Sequence, residues 1–201
     1  DYREAFDEIS DANKCEIMKW AEVRELVHGT TSAVGSSGGS CINLLIRDLD
    51  ADSGAHFISG YDMVYSSSRV MDTLDAGDAA GYEDDLASGS LDAVLQHVAE
   101  GKNGSVQEEV DWMADIGMTG PGQAYVHASD ATTEQLARMA ADGTAIVWSP
   151  RSNLALYATT TPIGIAETLG VPWAIGTDWT PSGSMAPMPE LACADDWLAT
   201  K

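Results

Sequence analysis

His97 and Glu100 close an apolar run, LDAVLQHVAEG at 91–101, and their types define the chemistry to look for. An imidazole ligates a metal or gives a hydrogen bond, and a carboxylate three positions on can carry a proton. Side chains along a strand alternate faces, so Glu100 reaches the mouth that His97 faces only where the strand ends and turns, which Gly101 and Gly104 permit. H-x-x-E alone is a weak signal, and its weight comes from residues farther along the chain. His127, Ser149 and Asp178 each stand at the end of a later apolar run: QAYVHAS (123–129), TAIVWSP (144–150) and VPWAIGTD (171–178). Two histidines and an aspartate brought to one place suit a divalent ion such as zinc, which takes imidazole nitrogen and carboxylate oxygen. Taken singly, His97 and His127 also read as hydrogen-bonded core residues, and Asp178 as a turn cap.

The elements that must position these residues repeat from 91 onward: an apolar strand, a polar residue at its end, a capped helix, a glycine. After His97, Ser105 and Glu108 suggest a capping box, Val106, Val110 and Met113 form a helical stripe, and Gly117 stops it. Thr132 and Gln135 cap the next helix, Leu136, Met139 and Ala140 face inward, and Gly143 ends it. Thr161 followed by Pro162 reads as an N-cap with proline at the first helical position, and Gly170 closes that helix. Strands apolar on both faces and separated by amphipathic helices indicate parallel β/α units. Polar residues at the carboxyl ends of successive strands mark the face where a β/α barrel carries its active site.

Before 91 the pattern is less regular. Residues 1–28 suggest a helix with Ile17, Ala21, Val23, Leu26 and Val27 as its apolar positions, ended by His28 and Gly29. TTSAVG (30–35) and INLLIRD (42–48) read as strands around an SSGGS loop. SSSRVMD (66–72) suggests another strand, and 72–90 an acidic helix or a loop. His28 and His56 fall where no role is assigned.

With 201 residues, the chain is long enough for one good core, and 32 acidic against 10 basic residues give a net charge of −22. That charge excludes nucleic acid and anionic membrane as natural partners. No apolar run is long enough to span a bilayer. With Cys15, Cys41 and Cys193 odd in number and without a C-x-x-C pair, neither a disulfide framework nor a zinc knuckle is indicated, and a reducing, cytoplasmic setting is expected.

Four segments in order, HVAEG (97–101), VHAS (126–129), SPRSNLALY (149–157) and GTDW-x-PSGS (176–184), resemble the metal-dependent amidohydrolase superfamily, in particular its cytosine-deaminase-like and chlorohydrolase-like branch. HGTTS (28–32) and PELACA (189–194) match more weakly. The resemblance covers most of 91–194, the better-matched catalytic half of a single barrel domain spanning 1–201. It implies a TIM-type (β/α)8 barrel with His97 as a metal ligand and Asp178 as a ligand that also accepts a proton from water on the metal. It further implies Glu100 as the shuttle to the leaving nitrogen and His127 as the donor to the attacking oxygen or the developing oxyanion. Ser149, Ser152 and Asn153 would line the pocket in a loop, and Trp148 and Trp179 would wall a planar ring. Ser152 and Asn153 also read as turn caps, and the tryptophans as core.

The chain departs from the family pattern in one respect: its histidines, at 28, 56, 97 and 127, include no H-x-H pair, which in that family begins the barrel and supplies two ligands. A complete barrel also takes roughly 250 residues. The expectation is therefore an incomplete barrel lacking its first strand and the flanking β domain, with a preceding segment or another copy completing it. The function expected is hydrolysis of a non-peptide carbon–nitrogen bond in a free small molecule, with ring deamination first and dechlorination or amide cleavage as variants. One zinc, or iron, is the expected cofactor. The alternative is a non-catalytic barrel fragment that binds a partner chain or ligand.

So acidic a coat, with only Lys14, Lys19, Lys102 and Lys201 as lysines, is of the kind salt-adapted proteins carry. The thermal unfolding midpoint is expected to rise steeply from dilute buffer to molar salt. A maximum in dilute buffer would refute salt adaptation.

Overall fold

Neighbouring strands in space are neighbours in the chain. The computed structural model describes residues 2–34, 45–49, 63–66, 71 and 74–200. Within them, β1 (Ser32–Ala33) pairs with β2 (Arg47–Asp48), and β3 (Met63–Ser66), β4 (Ala93–Val98), β5 (Gln123–His127), β6 (Ala145–Trp148) and β7 (Trp173–Ile175) form a five-stranded sheet in that order. Every pairing is parallel. The Met63 amide donates to the Leu49 carbonyl at 2.9 Å, joining the end of β2 to the start of β3.

A parallel sheet in strict sequence order, with right-handed crossovers, winds in one direction and keeps its helices on one face, as a β/α barrel does. The helices are α1 (Tyr2–Val27), α2 (Ala76–Ser88), α3 (Gly104–Asp115), α4 (Thr133–Asp142), α5 (Pro150–Tyr157), α6 (Ile163–Leu169) and α7 (Pro187–Ala199). The described pairings run through β7 and do not close the sheet. Of the expected fold, the parallel α/β architecture is present among the described residues, as a two-stranded and a five-stranded sheet. Val94, Val98, Val110, Met113, Tyr125, Leu136, Met139, Ile146 and Trp148 fill the layer between sheet and helices. No helix among the described residues is long and apolar enough to cross a membrane.

Local chemistry explains most helix ends. Thr132 and Gln135 form a reciprocal capping box on α4, and Gly143 and Gly170 end α4 and α6 in the left-handed conformation at φ 85° and 84°. The acidic stretch before 90 is the helix α2, capped by Asp75 and Asp78 in a second box.

Several expectations are corrected. A strand runs at 63–66, in register with β4 from Met63↔Ala93, while 67–70 and 72 of the strand expected at 66–72 lie outside the described residues. Ser105 and Glu108 form no capping box: Asn103 is the N-cap of α3, and the Ser105 hydroxyl donates to its side chain. Thr161 does not cap α6, which begins after Pro162, because its hydroxyl is committed to the His127 carbonyl. The pocket loop expected at 149–157 is the helix α5, with Pro150 at its first position. Cys15 is disulfide-bonded, against the all-thiol expectation, and Cys193 is free. The SSGGS loop, the first half of INLLIRD and His56 lie outside the described residues.

Candidate metal and proton-transfer site

The register between β4 and β5 poses the central geometric problem of the site. His97 pairs with Val126, and Val98 with His127. Paired residues on parallel strands share a face, so regular pleating would send His97 and His127 to opposite faces. Instead the His127 backbone turns left-handed, at φ 74°, and its ring packs against that of His97 with centroids 4.9 Å apart. Ala99 (φ 53°), Ala128 (φ 47°) and Asp178 (φ 55°) adopt the same uncommon region just past the ends of β4, β5 and β7. Each non-glycine residue held there costs on the order of 1–3 kcal/mol and persists only where its surroundings over-determine it.

Those surroundings are specific. The Glu109 carboxylate, buried on α3, accepts the Ala99 amide at 2.8 Å. The Ser129 hydroxyl accepts the Gly101 amide at 3.0 Å and has the Gly101 and Ala99 carbonyls at 2.9 and 3.1 Å as acceptors for its proton. The Ala128 amide donates to the Val98 carbonyl at 3.0 Å, and Thr161 bonds the His127 carbonyl from beyond α5. The Asp178 carboxylate accepts the next amide, Trp179, at 2.7 Å. Gly176 is needed behind it, because a Cβ there would lie 2.7 Å from Val147 Cγ1.

The result is one cluster: ligand atoms of His97, Glu100 and His127 all lie within 4.8 Å of one another. Glu100 Oε1 sits 3.7 Å from His127 Nε2 and accepts the Tyr157 hydroxyl at 2.9 Å. Burial, and then the Glu100 carboxylate, raise the Tyr157 hydroxyl above its ordinary range, so it remains a donor. His127 is wholly buried, and that desolvation lowers its pKa against the opposing pull of Glu100. The ring is therefore neutral at neutral pH. His127 Nε2 is buried with no hydrogen-bond partner among the described residues. Two imidazoles and a carboxylate gathered this closely fit a divalent metal of the zinc type by donor chemistry and spacing.

The other expected site residues lie in and around this cluster. Asp178 is half-buried and outside the 4.8 Å cluster, although its charge acts on His127 and Tyr157. Asn153 is fully buried, its side-chain amide 3.0 Å from His127 Nδ1. Ser152 is also buried, within 2.9 Å of the Ser182 hydroxyl. Trp148 is no exposed wall: it lies within the core, edge-on to Trp173, and donates through Nε1 to Thr160 at 2.7 Å. Trp179 is half-exposed, at 52%. Ser149 is buried at the start of α5, and the exposed His28 bonds the Arg24 carbonyl at 2.7 Å. Sequence reasoning missed Glu109, Ser129, Tyr157, Thr160 and Thr161. Of these, Ser129 and Tyr157 belong to the segments VHAS and SPRSNLALY, and their positions two residues after His127 and at the last residue of α5 were the available signals.

No family model matches the chain, and no curated protein matches it. Solved structures do. Guanine deaminase of E. coli is 17% identical with a TM-score of 0.64, the match covering 90% of this chain and 54% of that one. Guanine deaminase of Bradyrhizobium japonicum is 17% identical with a TM-score of 0.65, covering 88% and 48%. A zinc-bound adenosine deaminase of Xanthomonas campestris is 20% identical with a TM-score of 0.54, covering 61% and 29%. The chain thus shares the fold of these deaminase structures over the matched residues and spans between 29% and 54% of their length.

Ser129→Ala is expected to cost about 1–3 kcal/mol, by leaving buried backbone groups unpaired. It should also speed hydrogen exchange at the Gly101 amide ahead of global unfolding. Unchanged exchange at Gly101 in the variant would show that Ser129 does not hold the 99–101 turn.

Proposed function

We propose that this chain is the catalytic half of a metal-dependent amidohydrolase that adds water to a non-peptide carbon–nitrogen bond of a small molecule, with deamination of a free amino-heterocycle as its reaction. The observation that carries the reading is the convergence of His97, Glu100 and His127 within 4.8 Å, from strands whose regular register would separate them. Backbone strain spent to bring together two imidazoles and a carboxylate is hard to account for by packing. His97 and Asp178 would hold a divalent ion, zinc or iron, the aspartate turning in from its bond to the Trp179 amide. The chemistry such an ion supplies when bound is acidification of water to near neutral pH.

The residues of the chain do the rest. The oxygen of water bonds to the ring carbon that bears the amino group, and Glu100 takes up the proton released. Tyr157 holds the Glu100 carboxylate in place through its hydroxyl. His127 would donate to the attacking oxygen or the developing oxyanion and so stabilise the charge of the transition state. Glu100 then delivers its proton to the leaving nitrogen, the carbon–nitrogen bond breaks, and ammonia departs. A half-exposed Trp179 beside Asp178 gives a planar ring an aromatic surface. The net charge of −22 favours a free base over a nucleic acid as substrate. A second reading, a ligand-binding barrel fragment without turnover, is favoured by the absence of an H-x-H pair from the sequence.

Elemental analysis of the dialysed chain is expected to give about one zinc or iron per chain, and ammonia release from a panel of aminopurines and aminopyrimidines to reveal turnover. His97→Ala should lose the metal. Glu100→Gln should retain it while turnover falls by at least ~100-fold. A metal-free parent would sink the reading, and equal turnover of Glu100→Gln and parent would remove Glu100 from proton transfer.

A further inference from the structure

Behind the cluster runs a chain of buried side chains whose hydrogen bonds have a direction. Trp148, Asn153, Thr160 and His127 are all buried. Trp148 Nε1 lies 2.7 Å from the Thr160 hydroxyl, which lies 3.2 Å from Asn153 Oδ1, and the Asn153 amide nitrogen lies 3.0 Å from His127 Nδ1. An indole N–H gives a proton and cannot accept one. Thr160 therefore accepts from Trp148 and has its own proton to give. Asn153 Oδ1 is the acceptor in reach.

With its oxygen turned to Thr160, Asn153 presents its N–H to His127, so Nδ1 of the ring must be the acceptor. The reversed amide would leave Thr160 receiving two protons and its own proton without an acceptor in a buried site. We infer that the Trp148–Thr160–Asn153 relay fixes His127 in one tautomer, bare at Nδ1 and protonated at Nε2, so that it meets the site as a hydrogen-bond donor and not as a metal ligand.

Distance alone allows His127 to be a third ligand, since its nitrogen falls within the 4.8 Å cluster. Ligation needs a lone pair on the ligating nitrogen, and the relay places a proton there. Asn153 and Thr160 are then positioning residues that act through His127, and Trp148, deep in the core, sets their polarity. The tautomer stands on hydrogen bonds alone. Only its use, donation to the attacking oxygen or the developing oxyanion, rests on the function proposed above.

The test is long-range proton–nitrogen correlation NMR on the full chain labelled in histidine nitrogen, metal removed by chelator, with His127 signals identified by their loss in His127→Gln. The parent is expected to show an unprotonated Nδ1 and a protonated Nε2. Asn153→Asp, whose carboxylate can only accept, should reverse that pattern, a change that loss of packing alone does not produce. Added zinc should perturb the His97 nitrogens and leave the His127 Nε2 proton in place.

A parent spectrum with the proton on Nδ1, or loss of the Nε2 proton on adding zinc, would overturn the inference, and both are read without any variant folding. A chain that binds no zinc yet shows the expected tautomer supports the relay while removing the metal from the proposed function.

Discussion

Neighbouring parallel strands share a pleat, and the pleat is indifferent to chemistry. With Val98 paired to His127, an undistorted β5 would turn the imidazole away from His97. The left-handed turn at His127 and Ala128, answered by one at Ala99 on β4, rotates the strand ends until the side chains meet. That distortion is unfavourable by itself, and much of the surrounding polar structure can be understood as what holds it. Glu109 reaches from α3 to the Ala99 amide, Ser129 bridges back to the 99–101 turn, and Thr161 secures the carbonyl of His127 itself. Each is a buried polar group whose bond also satisfies a backbone atom that the distortion removes from regular pairing.

This arrangement divides the molecule by task. The apolar layer under β4, β5 and β6 supplies the cohesion that keeps the strand ends near one another. The singly wound order of the sheet delivers every carboxyl end to the same side, so residues far apart in the chain, from His97 to Asp178, are brought to one rim. Ion pairs contribute less: Arg138 to Asp111, at 2.6 Å, ties α4 to α3 at the surface.

Much of this was legible in the residues. Periodicity from 91 onward located β4 through β7, and the apolar runs ending in His97 and His127 led to the cluster these residues form with Glu100. Glycines 143 and 170 and the Thr132/Gln135 pair gave helix ends because their effects are local. What stayed hidden was decided by distant partners. Thr161 looks like a cap until the His127 carbonyl competes for its hydroxyl, and SPRSNLALY reads as a polar loop until Glu190 on α7, fully buried, accepts the Arg151 amide in the first turn of α5. Asn153, expected to line the pocket, is fully buried with its side-chain amide at the ring of His127, a partner its sequence neighbours do not reveal. In the same way Trp148, a plausible ring-stacking wall by type, is consumed by packing against Trp173 and by its bond to Thr160.

The His127 ring is held from its buried side by Asn153, and the exposed side chains near the cluster lie on the opposite side. Trp179, Met185 and Met188 lie in or beside the segment after Asp178 and are more than half exposed, at 52%, 52% and 60%. Two residues of α5 are tied to that segment, Ser152 to Ser182 at 2.9 Å and Arg151 to Ser184 at 2.8 Å, so the buried side and the rim meet through these bonds. The tryptophan at the core and the exposed side chains after Asp178 thus stand at opposite ends of one hydrogen-bonded layer.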